Sequence, residues 1–420
     1  MKKVFAIMVA VAALVAFTAP AWAAMDEPGP SFVVGGRMLT DVGYNKSSKE
    51  LTNNKKEDVT TAFVSLAGHS YLNAKFASAD KTTGGFIELG LLSTSNANSA
   101  GFKAANSESV LLRYAYGWWK VGNCKLLAGQ DDGWVGSLKH APKQYFGIDQ
   151  DGKLLLANWG YIYSGRHPQV RFEWESGMFG FALAAVQPGA ESLAYNAAGA
   201  TGLTAGTLNT IPGVDAYANL PRFDAAVEFK AGGLWVQPGF AWSQLKLEGV
   251  SGGADNTSTQ YMAILPVKFS VGPFTAKAEI HYGQNNDIEW SGNLLGLNVL
   301  RTALASVPVV KSNGKIEDSH QVGGFLALEY KIIPALEVTA GAGIEQVSND
   351  AWKQSVASGG AGFKDDNYTR KAYFVALPYT VTKNFSLHPE FSYFDYGDNP
   401  QTNSDRGNEW LLGMQFRFVF

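Results

Sequence analysis

Over most of the chain, apolar residues recur at every second position with polar or small residues between them. Successive side chains of a strand point to opposite faces, so this period of two reads as strands with one apolar and one polar side. The last segment carries the pattern most clearly. Trp410, Leu412, Met414, Phe416, Phe418 and Phe420 share one face, and Leu411, Gly413, Gln415, Arg417 and Val419 the other. Upstream, Phe32, Val34, Gly36, Met38, Val42 and Tyr44 oppose Arg37 and Asp41, and Val64, Leu66, Leu72, Ala74 and Phe76 oppose His69, Asn73 and Lys75. Val110, Leu112, Tyr114, Tyr116 and Trp118 oppose Arg113, while Val170, Phe172 and Trp174 oppose Gln169, Arg171 and Glu173. Continued along the chain, the pattern predicts about sixteen strands, near 32–44, 60–77, 84–92, 108–119, 124–130, 161–175, 179–187, 221–230, 233–244, 259–269, 273–283, 321–331, 336–346, 370–380, 385–395 and 409–420. The segment 179–187 is apolar on both faces, and the alternation does not fix the register of 370–380. Pro238, Pro266, Pro378 and Pro389 fall inside predicted strands, where each removes a donor from the ladder.

The connections alternate in length. Short turns fall at Ala79–Thr83, Lys120–Asn123, Ser176–Met178, Ala231–Gly232, Ser270–Gly272, Ile332–Ala335 and Thr382–Asn384. Long polar loops fall at Asn45–Val59, Ser93–Ser107, Asp131–Gly160, Pro188–Leu220, Leu245–Ser258, Gln284–His320, Val347–Thr369 and Tyr396–Asn408. An even number of strands with short turns at one end and long loops at the other is the asymmetry of a membrane β-barrel. Aromatic residues gather where strands end: Tyr44, Trp242, Tyr261, Tyr282, Tyr393 and Trp410 on the loop side, and Trp118, Phe229, Tyr330, Phe385, Phe418 and Phe420 on the turn side. Amphipathic rings collect in this way at the two membrane–water interfaces. A secreted β-sandwich also alternates apolar and polar residues, but does not sort its connections and rings so strictly. The expected fold is all-β, a transmembrane antiparallel barrel of about sixteen strands.

Composition agrees. Charged residues make up 17% of the chain, against the usual share of about a quarter. Aromatics reach 13% and glycine numbers 46. Mean hydropathy is only −0.07, as expected where lipid-facing and water-facing residues cancel in any window. Lys2 and Lys3, the apolar run Val4–Phe17, Pro20 and the small residues Ala21 and Ala23 read as an export signal cleaved after Ala23 or Ala24. The alternative is an uncleaved anchor. Residues 25–420 then form a single barrel domain. Without Lys2 and Lys3 the bases fall from 34 to 32 against 37 acids, a net charge of −5, which argues against nucleic acid as a partner. Cys124, the single cysteine, excludes an internal disulfide framework.

No metalloprotease, nucleophile-elbow, phosphate-loop or haem-attachment motif occurs, and His69, His140, His167, His281, His320 and His388 are scattered without ligand spacing. No enzyme activity, cofactor or metal is therefore expected. The candidate chemistry is a lining of fixed charges, which is how pores select. Bases on the lumen-facing parity come early, at Arg37, Lys75, Arg113 and Arg171. Acids come late, at Glu279, Glu329, Glu337, Glu345 and Glu390. Closed into a barrel, the two groups would oppose each other across the water column. Local pairing that merely keeps the lumen wet, as of Arg37 with Asp41, is the alternative.

The signal, the strand–turn rhythm and the terminal segment Trp410-Leu-Leu-Gly-Met-Gln-Phe-Arg-Phe-Val-Phe420 together resemble the general porins of Gram-negative bacteria, which are sixteen-stranded trimeric diffusion channels. Tyr163-Ser-Gly-Arg-His-Pro-Gln-Val-Arg-Phe-Glu-Trp174 is similar to porin-like sequences of metal-respiring proteobacteria. The resemblance implies a third extracellular loop folded into the lumen, matched here by Leu126-Leu-Ala-Gly-Gln-Asp-Asp-Gly-Trp134 running into a long loop. Asp131, Asp132, Lys139 and Lys143 are its candidate constriction residues, with Asp149 and Asp151 further on. It also implies an outer-membrane homotrimer packed through early strands, contacts with membrane lipid, and recognition of Trp410, Phe416, Phe418 and Phe420 by barrel-assembly machinery. The implied function is passive diffusion of small hydrophilic solutes and ions. Two alternatives stay open: a substrate-specific channel, for which inward aromatics such as Tyr71, Trp119 and Trp235 would serve, and a barrel sheath around an electron-conducting cytochrome.

Overall fold

The two-residue connections are where the chain turns most sharply, and four begin with glycine. Gly122, Gly177, Gly232 and Gly272 have φ of +56°, +58°, +55° and +53°. A Cβ added at any of the four would meet nothing within 4 Å, so the backbone conformation and not crowding selects glycine. These turns join long antiparallel strands in a computed structural model that describes residues 29–52, 57–66, 70–94, 107–145, 156, 159–188, 192–195, 204–207, 215–248, 257–286, 306, 308–310, 316–349, 365–400 and 403–420. The expected export signal and His69 lie outside the described residues.

Sixteen strands form the wall: β1 (Ser31–Ser47), β2 (Val59–Leu66 and Tyr71–Ala77), β3 (Thr83–Thr94), β4 (Ser107–Val121), β5 (Cys124–Asp132), β6 (Arg166–Ser176), β7 (Phe179–Val186) and β8 (Arg222–Ala231), then β9 (Leu234–Val236 and Gly239–Glu248), β10 (Thr257–Val271), β11 (Phe274–Gln284), β12 (Ser319–Ile333), β13 (Leu336–Asn349), β14 (Asn367–Ala376 and Tyr379–Thr382), β15 (Phe385–Asp395) and β16 (Asn408–Val419). Each pairs antiparallel with the next, and β16 returns to β1 in register from Arg37↔Val419 to Ser47↔Glu409. Beyond the last paired strand residue, Gly36 N–H donates to the Phe420 carbonyl at 3.0 Å and Phe420 N–H to the Gly36 carbonyl at 3.1 Å. The Phe420 ring covers the bare glycine, where a Cβ would fall 2.5 Å from it. Closure leaves no open edge in the wall, the condition for a sheet to cross lipid.

The prolines are accommodated in pairs. Pro238 and Pro378 sit in the interruptions of β9 and β14, and Pro266 and Pro389 lie beside those interruptions in β10 and β15. Gln237 N–H donates to the Pro266 carbonyl at 3.1 Å and Leu377 N–H to the Pro389 carbonyl at 2.9 Å. Each missing proline donor thus falls opposite a break already present in the neighbouring strand.

The outer surface is apolar. Val34, Val64, Leu183, Ile280, Leu326 and Leu412 are all exposed, while Asp41, Glu279, Glu345 and Gln415 on the opposite parity are buried. Rings cluster at both outer rims, with Phe223 against Trp242 and Tyr261 against Tyr282 at one, and Phe179 against Phe229 and Phe385 against Phe418 at the other. This is inverted relative to a soluble domain and matches a wall solvated by lipid.

Two sequence expectations are corrected. First, β6 starts at Arg166, not at 161. Tyr161 and Tyr163 continue the alternation, but Gly165 has φ +75° and Tyr161 and Ile162 are fully buried, so 161–165 belongs to the preceding connection. Second, the parity of β4 changes midway. The register with β3 shifts between Glu88↔Tyr114 and Leu89↔Leu112, leaving Arg113 as the extra residue of a β-bulge. The Gln130 side-chain amide fills it, donating to the carbonyls of Leu112 at 2.9 Å and Arg113 at 3.0 Å. Leu111 and Leu112 are both exposed. Beyond the bulge Tyr114, Tyr116 and Trp118 face inward with Arg113, and Trp119, at 55% exposure, takes the place in the outer rim expected for Trp118.

Candidate functional site: the barrel interior

The described residues of the connection between β5 and β6 pack against the inner wall of the barrel. Small residues make the room. Trp134, Val135 and Ile162 rest on Ala182, Ala226, Ala241, Met262 and Ile264. Leu156, Trp159, Tyr161 and Tyr163 rest on Phe325, Ala327, Ala372, Phe374, Phe394 and Leu411. At the closest approach only backbone fits: a Cβ at Gly343 would lie 1.8 Å from the Trp159 carbonyl oxygen, and one at Gly160 (φ +105°) would lie 2.1 Å from the Gly324 carbonyl oxygen.

The late acids hold this connection in place. Glu279 accepts from the Ile162 N–H at 2.8 Å and pairs with His140. Glu345 accepts from the Gly160 N–H at 3.0 Å, and Glu390 from the Tyr145 N–H at 2.6 Å. Lys143 reaches Glu337 at 2.6 Å and Glu329 at 3.2 Å, and the Gln415 amide donates to the Tyr145 carbonyl at 2.6 Å. Lys277 pairs with Glu329 at 2.6 Å and donates to the Ala141 carbonyl at 3.0 Å. Carboxylates accepting backbone N–H groups form stronger bonds than neutral pairs. The acids read from the sequence as one side of a transverse field are therefore engaged by the connection itself.

The eight charged candidates fall into three groups. Asp131 and Arg171 pair at 2.6 Å, and Arg171 also pairs with Glu173 at 2.6 Å. Asp132 accepts from the hydroxyls of Tyr114 at 2.6 Å and Tyr163 at 2.8 Å, tying the root of the connection to β4. Lys139 lies 3.9 Å above the Trp134 ring and 3.6 Å from Glu228, and Lys143 is bound to the far wall as described. Arg37, Lys75 and Arg113 stand on the early wall. Arg113 pairs with Glu88 at 2.7 Å, Arg37 lies 4.8 Å over the Tyr71 ring, and Lys75 lies 5.7 Å over the Trp118 ring. Lys75 is exposed, and no carboxylate among the described residues lies within ion-pair distance of it. Trp410, Phe416 and Phe418 lie on the outer face of β16, with Phe420 at the seam.

The inward rings Tyr114, Tyr116 and Trp118 escape the sequence reading because the bulge reverses them, and Phe86 meets them from the inner face of β3. The signal available was the doublet Leu111-Leu112 followed by Arg113, a slip in an otherwise strict alternation.

A closed sixteen-stranded barrel with an apolar exterior and a polar interior is the fold of the outer-membrane porins and channels. Among solved structures the chain is similar to the outer membrane channel DcaP of Acinetobacter baumannii, with 17% identity, TM-score 0.66, and coverage of 93% of this chain and 98% of that one. It is also similar to an anion-selective porin from Comamonas acidovorans, with 10% identity, TM-score 0.54, and coverage of 93% and 100%. A third likeness is to the trimer form of OmpT, an outer membrane protein of Vibrio cholerae, at 12% identity and TM-score 0.53, covering 93% and 100%. No protein-family profile matches the sequence, and no curated protein matches it.

Proposed function

We propose that the chain is an outer-membrane channel for passive diffusion of small hydrophilic solutes and ions, with a preference for anions. The carrying observation is the division of the interior. Residues 133–145 and 159–165 engage the acids of β11, β12, β13 and β15, while Arg37, Lys75 and Arg113 stand on β1, β2 and β4. In this reading the β5–β6 connection folds inward as the constriction, and the water path runs between it and the early wall. The anion-selective porin among the similar structures supports the sign of the selectivity.

The outer face of β1–β3 carries Val34, Val64 and Ile87, aliphatic and exposed. Together with the early-strand trimers implied by the sequence resemblance, and the trimer form of a similar structure, this supports a homotrimer joined through that face. The aromatic outer face of β16 is the proposed signal for barrel assembly.

The test is conductance and reversal potential of the purified protein in planar bilayers under a salt gradient. An ohmic, anion-favouring channel is expected. Arg113→Ala leaves Glu88 without its partner on the early wall and should move the reversal potential toward cations, with little change in conductance. Absence of conductance from folded protein refutes the channel reading, and an unmoved potential refutes the assignment of the early wall.

A further inference from the structure

The early wall carries more than charge. Beyond the bulge, inward rings follow one another down β3 and β4: Tyr114 to Phe86 at 5.8 Å between centroids, Phe86 to Tyr116 at 5.7 Å, and Tyr116 to Trp118 at 6.2 Å. From Tyr114 to Trp118 the row runs about 14 Å at roughly 3.4 Å per residue, about half the height of a barrel's apolar band of roughly 25 Å. These rings are only half-buried. They face the interior, where ordinary wetting needs polar side chains and gains nothing from apolar area. Cations stand at both ends. Arg37 and Arg113 lie 4.8 and 6.0 Å over the Tyr71 ring at the loop end, and Lys75 lies 5.7 Å over Trp118 at the turn end. Near the loop end Arg166 lies 5.5 Å over Tyr114, and its buried Nη1 has no acceptor among the described residues. The glycine opposite Trp118 gives it its seat, since a Cβ at Gly84 would overlap the indole at 2.2 Å.

We propose that this wall is a binding ladder for aromatic carboxylates. The solute ring slides face to face along Phe86, Tyr116 and Trp118, and its carboxylate passes from the arginines at the loop end to Lys75 at the turn end. The proposal rests on the channel reading above and names the solutes for which that path is more than a hole. Rings offer stacking to a flat solute, and the flanking cations select a negative one. A neutral sugar would use the rings but not the charges, and acetate the charges but not the rings.

The experiment adds benzoate, acetate or benzylammonium to the full-length protein in planar bilayers carrying chloride current. Benzoate should lower the current saturably in the millimolar range, and neither acetate nor benzylammonium should do so. Tyr116→Ser should weaken the benzoate effect about fivefold, the scale of one lost ring contact, and Lys75→Gln should weaken it as well. Trp118→Leu serves as the second ring variant, and heat-modifiability confirms that each variant is folded. The ladder is overturned if benzoate behaves like acetate, if benzylammonium blocks as well as benzoate, or if the folded ring variants keep the wild-type response. Loss of all chloride current in the wild type refutes the channel reading itself, an outcome distinct from these.

Discussion

Replacing Gly343 with valine tests how the β5–β6 connection is seated. The inner face of β13 at this position touches backbone, not a side chain that could swing away: a Cβ would stand 1.8 Å from the Trp159 carbonyl oxygen and 3.5 Å from Leu156 Cδ1. Restoring an ordinary contact of 3.4 Å requires the connection to retreat by about 1.6 Å, more for the valine methyls. The adjacent bond from Gly160 N–H to Glu345, 3.0 Å long, cannot survive that retreat. A hydrogen bond to a charged group contributes about 1.5–3 kcal/mol, so its loss alone shifts the docked–undocked balance by roughly 10- to 150-fold. Undocking also uncovers Trp159 and Leu156, adding to the penalty. The wall should tolerate the change, because valine suits a strand better than glycine does. The expected result is normal yield of heat-modifiable barrel with higher, noisier single-channel conductance. Ala342→Val, one residue along on the exposed outer face, is the control for strand propensity. Conductance of Gly343→Val equal to that of the control would refute the seating of Leu156, Trp159 and Gly160 on β13 as the element that narrows the path.

Two further outcomes concern the wall. Deleting Phe418–Phe420 removes the Gly36–Phe420 bond pair and the ring covering Gly36, and should abolish folded protein in outer-membrane fractions; normal levels would refute β16 as an essential closing strand. Ile87→Cys, exposed on the outer face of β3, should cross-link into oligomers under mild oxidation, and a purely monomeric product would refute packing through the early strands.

Much of the wall was legible in the sequence because each strand separates two solvents. Trp410 to Phe420 alternates against Gln415 and Arg417 for that reason, and β16 lies where the alternation puts it. The interior was less legible. One extra residue at Arg113 reverses every side chain after it, and the residue types of Tyr114, Tyr116 and Trp118 suit an outer rim as well as an inner row. Tyr161 and Tyr163 kept the strand period although they cover an inner wall, because burial on protein and burial in lipid select the same residues. The bonds of Glu279, Glu345 and Glu390 join positions from 117 to 245 residues apart, and no local pattern records them.

Those same bonds order events in time. The connection after β5 reaches β11, β13, β15 and β16, all of which follow it in the chain, and its bond from Gln415 to Tyr145 spans 270 residues. Contacts so distant in sequence form only after the intervening chain has been organised. The cylinder must therefore close, with β16 against β1, before the acids on its far side stand where they can receive Tyr145, Gly160 and Ile162. In the reading proposed above, a newly inserted barrel passes through a wide-bored stage, and its constriction is the last part to mature.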